Sequence, residues 1–179
     1  MRFRRSSPRS DPIAVSPSIA EVNSLEGKDT AAILDRVRDI MTGEGWTVTR
    51  EPISGEVNGY TTLDGSRRID VDTTLSPAQA AKTMIHEAAH ALMHAADDVK
   101  PAELHRGRAE REAESVAYVL AGLLGLDTSE YSIGYIARWA NGGTAAVAET
   151  AQTVLATVHT LAVALETHTE STASETAAA

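Results

Sequence analysis

His86, Glu87 and His90 stand in the order H-E-x-x-H inside the run Thr-Met-Ile-His-Glu-Ala-Ala-His-Ala-Leu-Met-His, residues 83–94. A helix turns about 100° per residue, so the two histidines fall one turn apart and about 40° apart around its axis. Two imidazoles so placed can reach one Zn²⁺, and the glutamate beside them can take a proton from a metal-activated water. Ala81, Lys82, Met84, Ala88, Ala89, Ala91, Leu92 and Met93 are strong helix formers, and neither Gly nor Pro interrupts them. Met84, Ile85, Ala88, Ala89 and Leu92 give the expected helix an apolar face. The competing reading is a surface helix that happens to carry histidines, and a third ligand elsewhere in the chain is what would decide against it.

A catalytic zinc on two histidines wants one more protein ligand and an open position. The chain has no cysteine, so that ligand is a His, Asp or Glu. The richest candidate stretch is Glu110-Arg111-Glu112-Ala113-Glu114-Ser115-Val116-Ala117-Tyr118. Ala113, Val116, Ala117 and Leu120 form its apolar stripe, and Glu112 lies beside that stripe. A carboxylate at a buried face needs a partner, because burying it unpaired is costly. Glu112 is therefore the expected third ligand, with Glu110 and Glu114 turned to solvent or to partners behind the histidines. His94 continues the series but sits about 12 Å along the axis from His86, too far for one ion to hold both. It suits a supporting place near the helix end. His105 is expected on a loop, and His159 and His168 toward solvent or a tail. Tyr118, Tyr131 and Tyr135 are more simply packing than chemistry, so no oxyanion role is assigned to them.

The elements that must position these groups can be read from periodicity. Residues 1–23 mix Arg, Ser, Pro and Asp without period and read as a disordered Arg-rich arm. Ile33, Leu34, Val37, Ile40 and Met41 then recur at helical spacing, with Asp29 or Thr30 able to cap the start and Gly43 and Gly45 to end it. Trp46 to Val71 reads as three strands, with turn signals at Ser54-Gly55, Asn58-Gly59 and Asp64-Gly65. A small antiparallel sheet is expected, and an edge strand beside a metal can take up an extended peptide as a further strand. Ser76 and Pro77 can open the histidine helix, expected over 77–94. A second helix is expected over 109–124 and a short segment around Tyr131 to Trp139. Val147, Ala151, Val154, Leu155, Val158, Leu161, Ala162 and Leu165 mark a last helix that docks on the domain. Residues 24–166 thus form one domain, and 167–179 read as a disordered low-complexity tail.

The 179 residues suffice for one sizeable core. A net charge of −9 argues against a broad duplex-DNA surface, although Arg2, Arg4, Arg5 and Arg9 cluster at the start. No run of apolar residues is long enough to span a membrane, and no secretory core is evident. A cytoplasmic protein without disulfides is expected.

The run 83–94 resembles the metal helix of the ImmA/IrrE family of zincin-like metallopeptidases, and Glu110–Tyr118 resembles that family's second helix. Together with Asn58-Gly59-Tyr60-Thr61, Gly125–Ser129 and Tyr131–Trp139, the pattern is similar to actinobacterial ArdC-like antirestriction proteins over roughly residues 30 to 165. The resemblance implies an α+β, zincin-like fold with the sheet on a helical bundle. It implies His86, His90 and Glu112 as Zn²⁺ ligands, Glu87 as general base, and a protein substrate such as a repressor or other regulator. ArdC-like proteins usually carry an N-terminal domain for single-stranded DNA, and here only the Arg-rich arm stands in that place. A DNA-associated antirestriction protein with a structural or vestigial zinc is the alternative.

Overall fold

The computed structural model describes residues 30–95, 103–126 and 143–177. The Arg-rich arm, the expected exit loop at 97–101 and the segment carrying Tyr131, Tyr135 and Trp139 lie outside the described residues. Among the described residues the architecture is α+β, a three-stranded sheet with four helices, and is compatible with a zincin-like domain.

Helix α1, Thr30–Gly43, buries Ile33, Leu34, Val37 and Met41, the stripe that the spacing predicts. It is closed by Gly45, whose φ of 84° admits the left-handed turn that lets the Trp46 amide donate to the Met41 carbonyl at 3.0 Å. Strands β1, Thr47–Glu51, β2, Gly59–Thr61, and β3, Arg68–Asp72, follow. Their spatial order is β1-β3-β2.

The sheet is mixed, which corrects the antiparallel expectation. β2 and β3 do form an antiparallel hairpin, with Tyr60 opposite Asp70, but β1 runs parallel to β3, with Thr49 opposite Asp70. Residues 52–58 carry the chain across to the far side of β3, so β1 never meets β2. Two tight turns would have forced a meander; only the Asp64-Gly65 turn is tight. There Asp64 accepts from the Ser66 amide at 3.0 Å, and Gly65 takes a φ of 87°. Ile69 and Val71 of the central strand face the helices and are fully buried.

Helix α2, Pro77–His94, starts at a capping box in which Ser76 and Gln79 each satisfy the other's backbone, with Pro77 at the first turn. It runs through the middle of the core, burying Ala80, Ala81, Met84, Ile85, Ala88 and Ala89; Leu92, expected on that face, is 38% exposed. Helix α3, Glu103–Leu123, begins six residues before the expected start, so His105 lies on a helix and not on a loop. Gly107 costs about 1 kcal/mol of helix propensity and does not break it. Ala113, Val116, Ala117 and Leu120 are completely buried against α2. Helix α4, Gly143–Ala177, buries Val154, Val158, Leu161 and Leu165 against α3 and α1, and its trace continues across most of the stretch expected to be a tail. Among the described residues no helix is long and apolar enough to cross a membrane.

Candidate metal centre and cleft

α2 and α3 lie side by side, and their facing turns bring five titratable side chains together. His86 Nε2 and His90 Nε2 are 3.1 Å apart. Glu110 Oε2 stands 3.6 Å from the first and 3.7 Å from the second. A point equidistant from three atoms so spaced lies about 2 Å from each, the length of a Zn–N or Zn–O bond. His86 Nδ1 faces Glu114 Oε2 at 3.3 Å, and Glu114 Oε1 takes an ion pair from Lys82 Nζ at 2.7 Å. A hydrogen on Nδ1 directed to Glu114 would leave the Nε2 lone pair of the neutral ring free to meet a metal ion. Two ring nitrogens at 3.1 Å either share a hydrogen or face a common cation, and a donor set of two imidazoles and one carboxylate is one that could hold a metal ion.

The electrostatics agree with a seat for positive charge. Burial alone would lower the His86 pKa, but Glu110 and Glu114 outweigh it and lift the imidazole to about 9. The same contacts hold the Glu110 carboxyl far below the usual carboxylate range, His86 and His90 being the causes. Burial pushes Glu114 up, yet His86 and Lys82 bring it down to about 2.

Glu87 is buried one residue along α2 from His86, and burial raises its carboxyl above the ordinary value against the opposing pull of Thr61, His86 and His90. Thr61 of β2 reaches it: Thr61 Oγ1 lies 2.8 Å from Glu87 Oε2 and 2.9 Å from the Glu87 carbonyl oxygen. The expected base and both histidines therefore meet on one side of α2.

Glu112, the expected third ligand, is not brought to this point. It is buried, as its place beside the stripe predicts, but Arg108 Nε donates to its Oε1 at 2.9 Å and its Oε2 stands 3.7 Å from His94 Nε2. A carboxylate so paired has its charge answered already. Glu110, half-exposed at the rim, is the carboxylate that stands with the two histidines in the group that could hold a metal ion. The signal for it was in the sequence: Glu110 and Glu114 are four apart, so they share a helix face, while Glu112 is turned about 200° from Glu110. His94 lies with Glu112 and Arg108, away from the group that could hold a metal ion. His159 is exposed on α4.

A cleft of about 1100 Å³ opens over these groups, bounded by β2 on one side and α3 on the other. Val57, Tyr60 and Leu63, all at least 36% exposed, line it around the β2 strand.

A protein of Bacillus anthracis, named only as uncharacterized, is 38% identical over 77 residues, which is 42% of this chain. The chain covers only 13% of that relative's length. No solved structure matches. Residues 42–132, half of the chain and the part that holds the sheet, α2 and α3, match the Peptidase_M78 model, described as the IrrE N-terminal-like domain. A chain that has this match and sets two histidines and a glutamate around one point belongs to the IrrE N-terminal-like peptidase family.

Proposed function

We propose that the chain is a zinc-dependent endopeptidase acting on an extended segment of a protein partner. The observation that carries this is the convergence of His86, His90 and Glu110 on one point, with Glu87 beside it under an open cleft. In this reading those three residues hold the zinc and Glu114 orients His86. A zinc ion held there would lower the pKa of a water toward about 7 and polarise a carbonyl oxygen. Glu87 accepts a proton from the attacking water and returns it to the amine nitrogen as the peptide C–N bond breaks. Its Oε2 stays on Thr61, whose hydroxyl donates to the ionised carboxylate and can accept from the protonated one.

Strand β2 supplies somewhere to lay the peptide. The Asp72 amide donates to the Asn58 carbonyl and the Thr62 amide to the Arg68 carbonyl, both at 2.9 Å. Alternate residues 58, 60 and 62 therefore spend their backbone groups on β3, and those of Gly59 and Thr61 point to the other edge. An extended peptide that pairs with Gly59 and Thr61 lies along the cleft. Kinship with ArdC-like proteins rests on the sequence likeness at residues 58–61, 125–129 and 131–139, and a regulatory protein as the substrate rests on the ImmA/IrrE resemblance of the two helices.

The test is hydrolysis of fluorescein-labelled casein by the zinc-loaded chain. The wild type is expected to bind one zinc and cleave. Glu87→Gln is expected to keep the zinc and lose cleavage by at least about 10²-fold, the usual contribution of a positioned base. Normal turnover by the Glu87→Gln variant removes Glu87 from the mechanism.

A further inference from the structure

We propose that Thr61 is the positioning residue for Glu87, so that the strand receiving the peptide also sets the general base; this rests on the peptidase reading of the site. Among the described residues Thr61 is the one hydrogen-bond donor to the Glu87 carboxylate, at 2.8 Å from Oε2. A glutamate side chain has three rotatable bonds, and holding one oxygen fixes where the other faces. Thr61 is suited to hold it, because a β-branched side chain has little freedom at its first torsion. The Glu87 carbonyl oxygen, 2.9 Å from the same hydroxyl, shares its one hydrogen with the ionised carboxylate and takes it outright when the carboxyl is protonated and donates to Oγ1.

Gly59 is an independent sign that this approach is built in. It lies two residues before Thr61 and so on the same face of β2. A Cβ added there would come 2.7 Å from Thr83 Cγ2, 2.8 Å from the Asp70 carbonyl oxygen and 3.3 Å from Glu87 Cγ. Only a glycine lets the strand lie this close to α2, and that closeness is what puts the Thr61 hydroxyl within reach of Glu87. The two residues whose side-chain positions face Glu87 are also the two whose backbone groups point to the open edge of β2. A peptide pairing along that edge therefore bears directly on the residue that aims the base.

The experiment has two arms, both on the full zinc-loaded chain. In the first, thermal unfolding midpoints are measured for wild type, Thr61→Val, Glu87→Ala and the double variant. The double variant is expected to fall little below the lower single one, because either change removes the shared contact. Additive shifts overturn the proposal. In the second, casein hydrolysis is followed for Thr61→Val, Thr61→Ser and Gly59→Ala. Thr61→Val is expected to lose kcat on the order of 10²-fold, with KM changed by no more than about twofold. Thr61→Ser, which keeps the hydroxyl, is expected to recover most of the rate, and Gly59→Ala to lose rate as Thr61→Val does. Thr61→Val at the wild-type rate, or no recovery with serine, overturns the proposal. If the wild type itself fails to cleave while the unfolding shifts are non-additive, the clamp stands and the peptidase reading is what fails.

Discussion

Glu110 and Glu112 differ in what their charges already face, and that decides how each behaves when removed. The Glu110 carboxylate is half in solvent and its protein contacts are the two ring nitrogens. Truncating it to alanine takes away the proposed ligand and leaves no buried charge behind, so Glu110→Ala is expected to fold normally and to lose zinc. Glu112 is 4% exposed and bound to Arg108. Glu112→Ala is expected to cost about 1–3 kcal/mol of stability, as for a buried charged hydrogen bond, while keeping one zinc per chain. Native mass spectrometry on the two variants, with urea unfolding alongside, separates them; zinc lost from Glu112→Ala and kept by Glu110→Ala would restore Glu112 as the ligand. The sequence made His86, Glu87 and His90 readable, because a one-turn spacing on a helix is a geometric statement. It also made Glu112's burial readable, through the stripe beside it. What burial did not tell was whether the partner would be a metal or Arg108, four residues back on the same helix. A catalytic ligand sits at the rim of a cleft, so the more exposed carboxylate was the better candidate.

β3 shows what alternation can and cannot reveal about an element. Ile69 and Val71 alternate as its inward face, and the strand itself was readable, as was the Asp64-Gly65 turn that makes its hairpin to β2. Its place between β1 and β2 was not, since strand order depends on where residues 52–58 cross and no local pattern records that. Being central, β3 buries its other face as well, and Asp70 there is fully buried. Burial pushes the Asp70 carboxyl up, but hydrogen bonds from Arg68, Thr49 and Tyr60 more than reverse this and hold it below the usual range. A carboxyl depressed in the folded state adds stability that is fully present above its unfolded value of about 3.9. That stability is lost as pH falls through the folded value. Asp70→Asn is therefore expected to destabilise at neutral pH by about 1–3 kcal/mol. Below about pH 4 the difference from wild type should shrink. Urea unfolding at pH 7 and at pH 3 checks it; a gap that stays constant with pH would mean that the Asp70 charge is not what holds the three strands together.

On the scale of the molecule, the proposed site is a bridge between two helices already tied by a chain of contacts. Lys82 and His86 on α2 both reach Glu114 on α3, so α2 and α3 are aligned by protein contacts alone. α1 packs on α2, and α4 on α3 and α1, while β2 stands on α2 across the cleft. The ligand atoms are thus held in place by the fold, and zinc should bind the folded chain far better than the unfolded one. An ion with that preference stabilises by about 4 kcal/mol at a thousandfold excess over its dissociation constant. For a domain of this size that is on the order of 10 °C in the unfolding midpoint. Calorimetric scans with added zinc and with a chelator are expected to differ by this amount in the wild type. The difference should vanish in His86→Ala, His90→Ala and Glu110→Ala and persist in Glu112→Ala. Lys82→Met is the more searching case, because it breaks the helix bridge without touching a ligand atom. It should lower the chelated midpoint and leave most of the zinc increment, as expected if the fold builds the site; loss of the whole increment would show instead that the ion assembles the α2–α3 contact itself.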